Sequence, residues 1–193
     1  MKKLIMIGVL VVLVVAVIGG IIFINKLQAT RPYNGGLASI PDIPRRMKLA
    51  STAFKNNGQI PAKYTCDGEN ISPPLSITEL PQGTQSLVLI VDDPDAPVGT
   101  FTHWLVWNID PQTTLISEGN VPEFAVQGKN DFGKNEWGGP CPPSGTHHYQ
   151  FELHALDQKL DFAPTIDKDN LEKAMQGHIL SYAQLIGLYQ RNP

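Results

Sequence analysis

Leu87, Val88, Leu89, Ile90 and Val91 are apolar without a break, so both alternating faces of this stretch are apolar. That pattern predicts a strand covered on both sides. The run ends in Asp92-Asp93-Pro94-Asp95-Ala96-Pro97, where two prolines end central pairing and fix a rigid turn. A second apolar run leaves the turn. Period two places Phe101, His103, Leu105, Trp107 and Ile109 on one face of it. The Gly- and Pro-rich segment from Gly138 to Gly145 then leads into a third long strand. His147, Tyr149, Phe151, Leu153 and Ala155 fall on one face; His148, Gln150, Glu152 and His154 fall on the other.

Shorter strands are predicted at Leu49–Phe54, up to Ile77, at Phe124–Gly128 and at Ala183–Tyr189. One helix is predicted over Asp169–His178. Leu171, Ala174, Met175, His178 and Ile179 make its apolar stripe, and Asp169 with Glu172 resembles a capping box. His178 reads as a core or boundary residue.

The N-terminus follows a different pattern. Leu4–Ile24 carries no charge over 21 residues, enough to cross a hydrocarbon core of about 30 Å. Lys2 and Lys3 before it predict a cytoplasmic N-terminus and a domain on the extracytoplasmic side. A cleaved signal peptide is the rival reading, but its apolar region is normally shorter, about 7–15 residues. Residues 25–47 carry three prolines and a Gly pair and predict a linker, with a mean reach of about 25–30 Å. The organisation expected is thus a single-pass anchor over residues 1–24, a linker over 25–47 and one domain over 48–193.

Composition adds to this. The 16 prolines and 17 glycines in 193 residues point to a mainly β, loop-rich domain with few helices. The net charge of −3 excludes a general nucleic-acid binder. Without Lys2 and Lys3 the balance is more acidic still, which argues against a basic face on anionic lipid.

Candidate chemistry sits where polar groups interrupt apolar stripes. His103, His147 and Tyr149 each lie on an apolar face beside a rigid loop. A lone histidine there is ordinarily a satisfied core residue. Two such strands, each fed by a stiff loop, suggest one small polar pocket instead. Three carboxylates in the turn, Asp92, Asp93 and Asp95, need compensation, although Asp93 and Asp95 capping their own turn is the plainer reading.

At these residues the chain resembles a known family. DPDAP, HWLVWN and GPCPPSGTHHY, with CDGENISPPLSI at Cys66–Ile77, resemble the phosphatidylethanolamine-binding protein family, also called Raf kinase inhibitor-like. The last motif resembles its bacterial and archaeal, YbhB/YbcL-like, branch. The resemblance runs from about Lys48 to Arg191. It implies an antiparallel β-sheet sandwich with a small anion-binding pocket. The pocket residues implied are Asp93, Asp95, Pro97, His103, His147 and Tyr149, with Gly138, Gly139 and Pro140 shaping the wall. One departure is that His148 stands where the family usually has Arg, which removes a permanent charge. The ligand implied is a phosphate-containing small molecule or a phospholipid headgroup, with no cofactor. A protease or kinase is implied as a protein partner.

Cys66 and Cys141 both lie in motif loops beside the implied pocket. An extracytoplasmic domain permits a disulfide between them; the sequence leaves it open, because spacing does not give proximity. Two cysteines so far apart lack the paired spacing of zinc motifs. The binding reading is not enzymatic. The alternative is a hydrolytic enzyme built on Ser144, His147 and Asp93, or a metal-dependent one on His103, His147 and Asp93. No G-x-S-x-G elbow supports the former.

Overall fold

A computed structural model gives the structure of residues 47–191; the apolar segment 4–24 and nearly all of the linker lie outside the described residues. Nine strands and one α-helix are described: β1 (Lys48–Ala50), β2 (Gly58–Gln59), β3 (Leu75–Thr78), β4 (Ser86–Asp93), β5 (Phe101–Ile109), β6 (Leu115–Ile116), β7 (Val126–Gln127), β8 (His147–Leu156), α1 (Lys168–Met175) and β9 (Ile179–Tyr189). They form a three-stranded sheet, β1-β3-β6, and a six-stranded sheet, β2-β9-β8-β4-β5-β7. Among the described residues no helix is long and apolar enough to cross a membrane.

The two sheets share one core. Leu49, Leu75, Ile77 and Ile116 from the small sheet pack in the same cluster as Leu87, Leu89, Val91, Phe151, Leu153 and Leu185 from the large one. The unbroken apolar run of β4 is fully buried because β4 is central, with β5 on one side and β8 on the other.

Several expectations are corrected. The large sheet is not wholly antiparallel: β2 runs parallel to β9, pairing Gly58 with Gly187 and Gln59 with Leu188. Gly187 permits this, since a Cβ there would come within 2.5 Å of Ile60. β1 stops at Ala50 rather than Phe54, because the Ser51 hydroxyl donates to the Pro74 carbonyl and accepts from the Ala53 amide, which turns the chain. β7 is only two residues long; Phe124 before it has φ 62° and is exposed. β9 begins at Ile179, four residues early, because β8 pairs with it along nearly its whole length.

The helix also shifts. Asp167, not Asp169, caps α1, with its side chain accepting from the Asn170 amide. α1 ends at Met175, and His178 lies beyond it, partly exposed, with Nδ1 2.9 Å from Asp157 Oδ1. α1 packs Leu171 and Met175 inward. Its Lys168 Nζ reaches Asp92 Oδ2 at 2.6 Å and Glu172 Oε1 at 3.5 Å. Burial pushes the Asp92 carboxyl up to about 6 against the pull of the Lys168 charge.

The largest departure lies in β5. Val91 pairs with Trp104 but Asp92 pairs with Thr102, so His103 is an extra residue in a bulge. A second slip lies between the Leu89–Val106 and Leu87–Ile109 pairs, where Asn108 takes φ 56°. Period two therefore breaks twice. Trp104, Val106 and Ile109 join the core, while Leu105 and Trp107 face the other way, close against Gly128.

Candidate functional site

The C-terminal end of β4, the start of β5 and the start of β8 lie side by side, each carrying a polar side chain. Between them and the two rigid loops is a cavity of about 230 Å³. Asp93, Pro97, His103, His147 and Tyr149 line it, together with Ala96, Val98, Phe101, Phe132, Cys141, Pro142 and Pro143.

His147 is fixed by Asp93. Its Nδ1 lies 2.6 Å from Asp93 Oδ2, and both side chains are buried. The other carboxylate oxygen of Asp93 accepts from the Asp95 amide at 2.9 Å, an Asx turn that holds the loop start. Both oxygens of Asp93 are thus occupied within the protein.

His103 is fixed by Gly138. Its Nδ1 lies 2.5 Å from the Gly138 carbonyl, and its own carbonyl accepts from the Gly138 amide at 3.1 Å. A carbonyl only accepts, so Nδ1 carries the proton. Burial lowers the His103 pKa below the usual histidine value, although the Gly138 carbonyl and the charges of Asp93 and Asp131 oppose it. Aromatic rings surround this imidazole: Phe101 at 5.3 Å, Phe132 at 5.5 Å and Tyr149 at 5.1 Å between centroids.

Tyr149 lies between the two histidines. Its hydroxyl is buried and makes no hydrogen bond of good geometry, although the Asp93 carboxylate and the Cys141 backbone lie close enough to act on it. Burial raises its pKa, and the negative charge of Asp93 adds to the effect. The hydroxyl is therefore a neutral donor, and buried donors are ordinarily paired.

The remaining expected site residues lie elsewhere. Asp95 Oδ2 accepts from the backbone amide of His148 at 2.8 Å and from its Nδ1 at 2.7 Å, outside the cavity. Burial opposes its ionisation, yet the two bonds from His148 hold its carboxyl below the usual range. Gly138 and Gly139 line a second cavity of about 270 Å³, beyond the wall. Pro140 is buried behind that wall, and its carbonyl accepts from the Cys66 amide.

The wall is stapled. Cys66 and Cys141 form a disulfide, with Cα atoms 5.4 Å apart. Gly139 donates to Asn70 Oδ1 at 2.9 Å and lies so close to this loop that a Cβ would fall 2.7 Å from the Tyr64 carbonyl.

Neither enzymatic arrangement is assembled. Ser144 is exposed and does not line the cavity. Among the described residues no group of three or more His, Cys, Asp or Glu side chains is placed to hold a metal ion.

The family model for phosphatidylethanolamine-binding proteins matches residues 50–190. The chain belongs to the phosphatidylethanolamine-binding protein family. Within this family it is 49% identical over 165 residues to the UPF0098 protein of Pyrococcus horikoshii, covering 81% of this chain and 83% of that one. It is 51% identical over 150 residues to the UPF0098 protein of Methanothermobacter thermautotrophicus, covering 75% of this chain and 99% of that one. The crystal structure of a family homologue from Chlamydia trachomatis superposes with a TM-score of 0.74 at 42% identity, over 77% of this chain and 100% of that one. That of E. coli YbcL superposes with a TM-score of 0.72 at 31% identity, over 76% and 99%. Each solved chain is matched over nearly its whole length while covering about three quarters of this one, so a chain of domain size suffices for the fold.

Sequence reasoning missed Phe132, Val98, Phe101, Pro142 and Pro143 as cavity-lining residues of this family member. Phe132 gave no signal, being a single aromatic in the polar stretch Lys129–Glu136. Val98 gave one: an apolar residue at the tip of a Pro-rich turn, where water is the expected neighbour, and it is 86% exposed.

Proposed function

We propose that this domain is a binding protein, not an enzyme, and that its cavity takes a small phosphate-type anion, free or as the headgroup of a phospholipid. The observation that carries this reading is the Tyr149 hydroxyl, a buried donor between two histidines with no well-formed hydrogen bond in the empty site. A bound oxyanion supplies the missing acceptor. The volume of about 230 Å³ suits one such group. Binding rather than catalysis fits the lining, which offers no Ser, Thr or free Cys as a nucleophile. Residues 4–24 would hold the domain on the extracytoplasmic face of a membrane, with residues 25–47 as the tether. The exposed Val98 and Phe132 at the rim are where a protease partner would make contact.

The test is calorimetric titration of residues 48–193 with phosphate and phosphoethanolamine, comparing wild type with His103→Ala and His147→Ala. Each substitution is expected to remove about 1–3 kcal/mol of binding, the scale of a charge-assisted hydrogen bond. Unchanged affinity in both variants, with the fold intact by circular dichroism, overturns the shared site. Stronger binding of phosphoethanolamine than phosphate marks the headgroup as the source.

A further inference from the structure

An anion entering this cavity meets no fixed positive charge. Neither Lys nor Arg lines it, and the one charged side chain in its wall is the buried carboxylate of Asp93. The surroundings add little compensation. Asp95 stands in the turn, paired to His148, and Asp131 follows β7. On the neighbouring strand Tyr189 lies opposite His147, and beyond it Arg191 is already paired with Asp67.

The hydrogen bonds also fix what each imidazole presents. Nδ1 of His103 donates to the Gly138 carbonyl, and Nδ1 of His147 faces Asp93. In both rings Nε2 is the nitrogen left without a protein partner among the described residues, and in a neutral ring it is a lone pair. With both rings neutral, the side chains of the cavity thus offer an oxyanion one donor, the Tyr149 hydroxyl, beside two lone pairs and a carboxylate that repel it.

We propose that anion capture in this cavity is coupled to the uptake of one proton from solvent, and that Nε2 of His103 receives it. This rests on the anion-binding reading above. His103 is favoured over His147 by its partners. His147 has a carboxylate beside it whether or not the cavity is filled. His103 has only a neutral carbonyl and aromatic rings in direct contact, while Asp93 and Asp131 act on it from farther off, so its charged form has no ion-paired partner until an anion arrives. Burial keeps the empty-site imidazole neutral, and contact with the anion reverses that. By linkage the affinity then falls about tenfold for each step of one in pH, where the free site is neutral and the occupied site protonated.

The probe is sulfate, whose charge is constant through this range, titrated into residues 48–193 just above neutral pH. Calorimetry in buffers of different ionisation enthalpy reads the number of protons taken up. About one proton per sulfate is expected in wild type, and close to none in His103→Gln. The ring signal of His103, followed by NMR across pH, is expected to titrate higher with saturating sulfate than without; this needs no variant. Binding with heats independent of buffer overturns the proposal while leaving the anion site standing. Uptake retained in His103→Gln but lost in His147→Gln overturns the assignment to His103. No binding of sulfate or inorganic phosphate at all removes the underlying reading, and the coupling with it.

Discussion

Asp93 Oδ2 and His147 Nδ1 are 2.6 Å apart, although 54 residues separate them in sequence. Both side chains are buried, so removing either leaves the other without its partner. Asp93→Ala or His147→Ala alone is expected to cost about 3–5 kcal/mol of folding stability. The double variant should cost less than the sum of the two, by about 1–3 kcal/mol. Urea unfolding of the four proteins measures this, and strict additivity would show that the pair is not coupled.

Tyr149→Phe separates binding from folding. The hydroxyl makes no well-formed hydrogen bond in the empty site, so its loss should leave the unfolding midpoint unchanged or slightly raised. Phosphate affinity should fall by about 1–2 kcal/mol. A large loss of stability would mean that the hydroxyl is bonded in the free protein.

The disulfide closes a loop with a sequence separation of 75. In the chain-entropy view it stabilises the domain by about 4 kcal/mol. Unfolding with and without reductant should differ by that order, and the denatured, unreduced chain should show no free thiol. Two thiols per chain would contradict the bridge.

Asp92 gives a pH signature. Its carboxyl titrates at about 6 in the fold against an ordinary 3.8, so the folded state binds the extra proton between those values. The stability from that proton is fully present below the ordinary value and is lost as pH rises through about 6. The loss is up to about 3 kcal/mol, because each tenfold change in an ionisation constant is worth roughly 1.4 kcal/mol. Asp92→Asn should flatten this part of the profile. Identical slopes in urea titrations of both proteins between these pH values would exclude Asp92 as the source.

Residues 4–24 make the last prediction. If they remain as an anchor, the full chain should stay in the membrane fraction after carbonate washing and keep its own N-terminus. Recovery of a soluble chain starting near Thr30 would establish cleavage instead.

Much of this architecture was legible because burial leaves a pattern. β4 showed as an unbroken apolar run, and His103, His147 and Tyr149 showed as polar breaks in apolar stripes. Other features leave none. Gly138, Gly139 and Pro140 read as wall residues, yet a wall has two sides, and the glycines face the second cavity. Asp95 and His148 satisfy each other across two segments, and no local pattern shows such a pairing. Asp167 and Asp169 are equally good caps by residue type; only the hydrogen bond to the Asn170 amide separates them. The faces of β5 were misread because alternation assumes one residue per step on both strands.

That extra step at His103 makes the length of the strand part of its information. Deleting one residue between Phe101 and Trp104 would remove the spare residue, leaving Trp104 still opposite Val91 and the core face intact while the bulge that carries an imidazole to the cavity is lost. Substitution can be graded here, but insertion and deletion cannot. Across related chains that keep the site, this stretch should therefore keep its count, and chains that lose the residue should keep the core without the site.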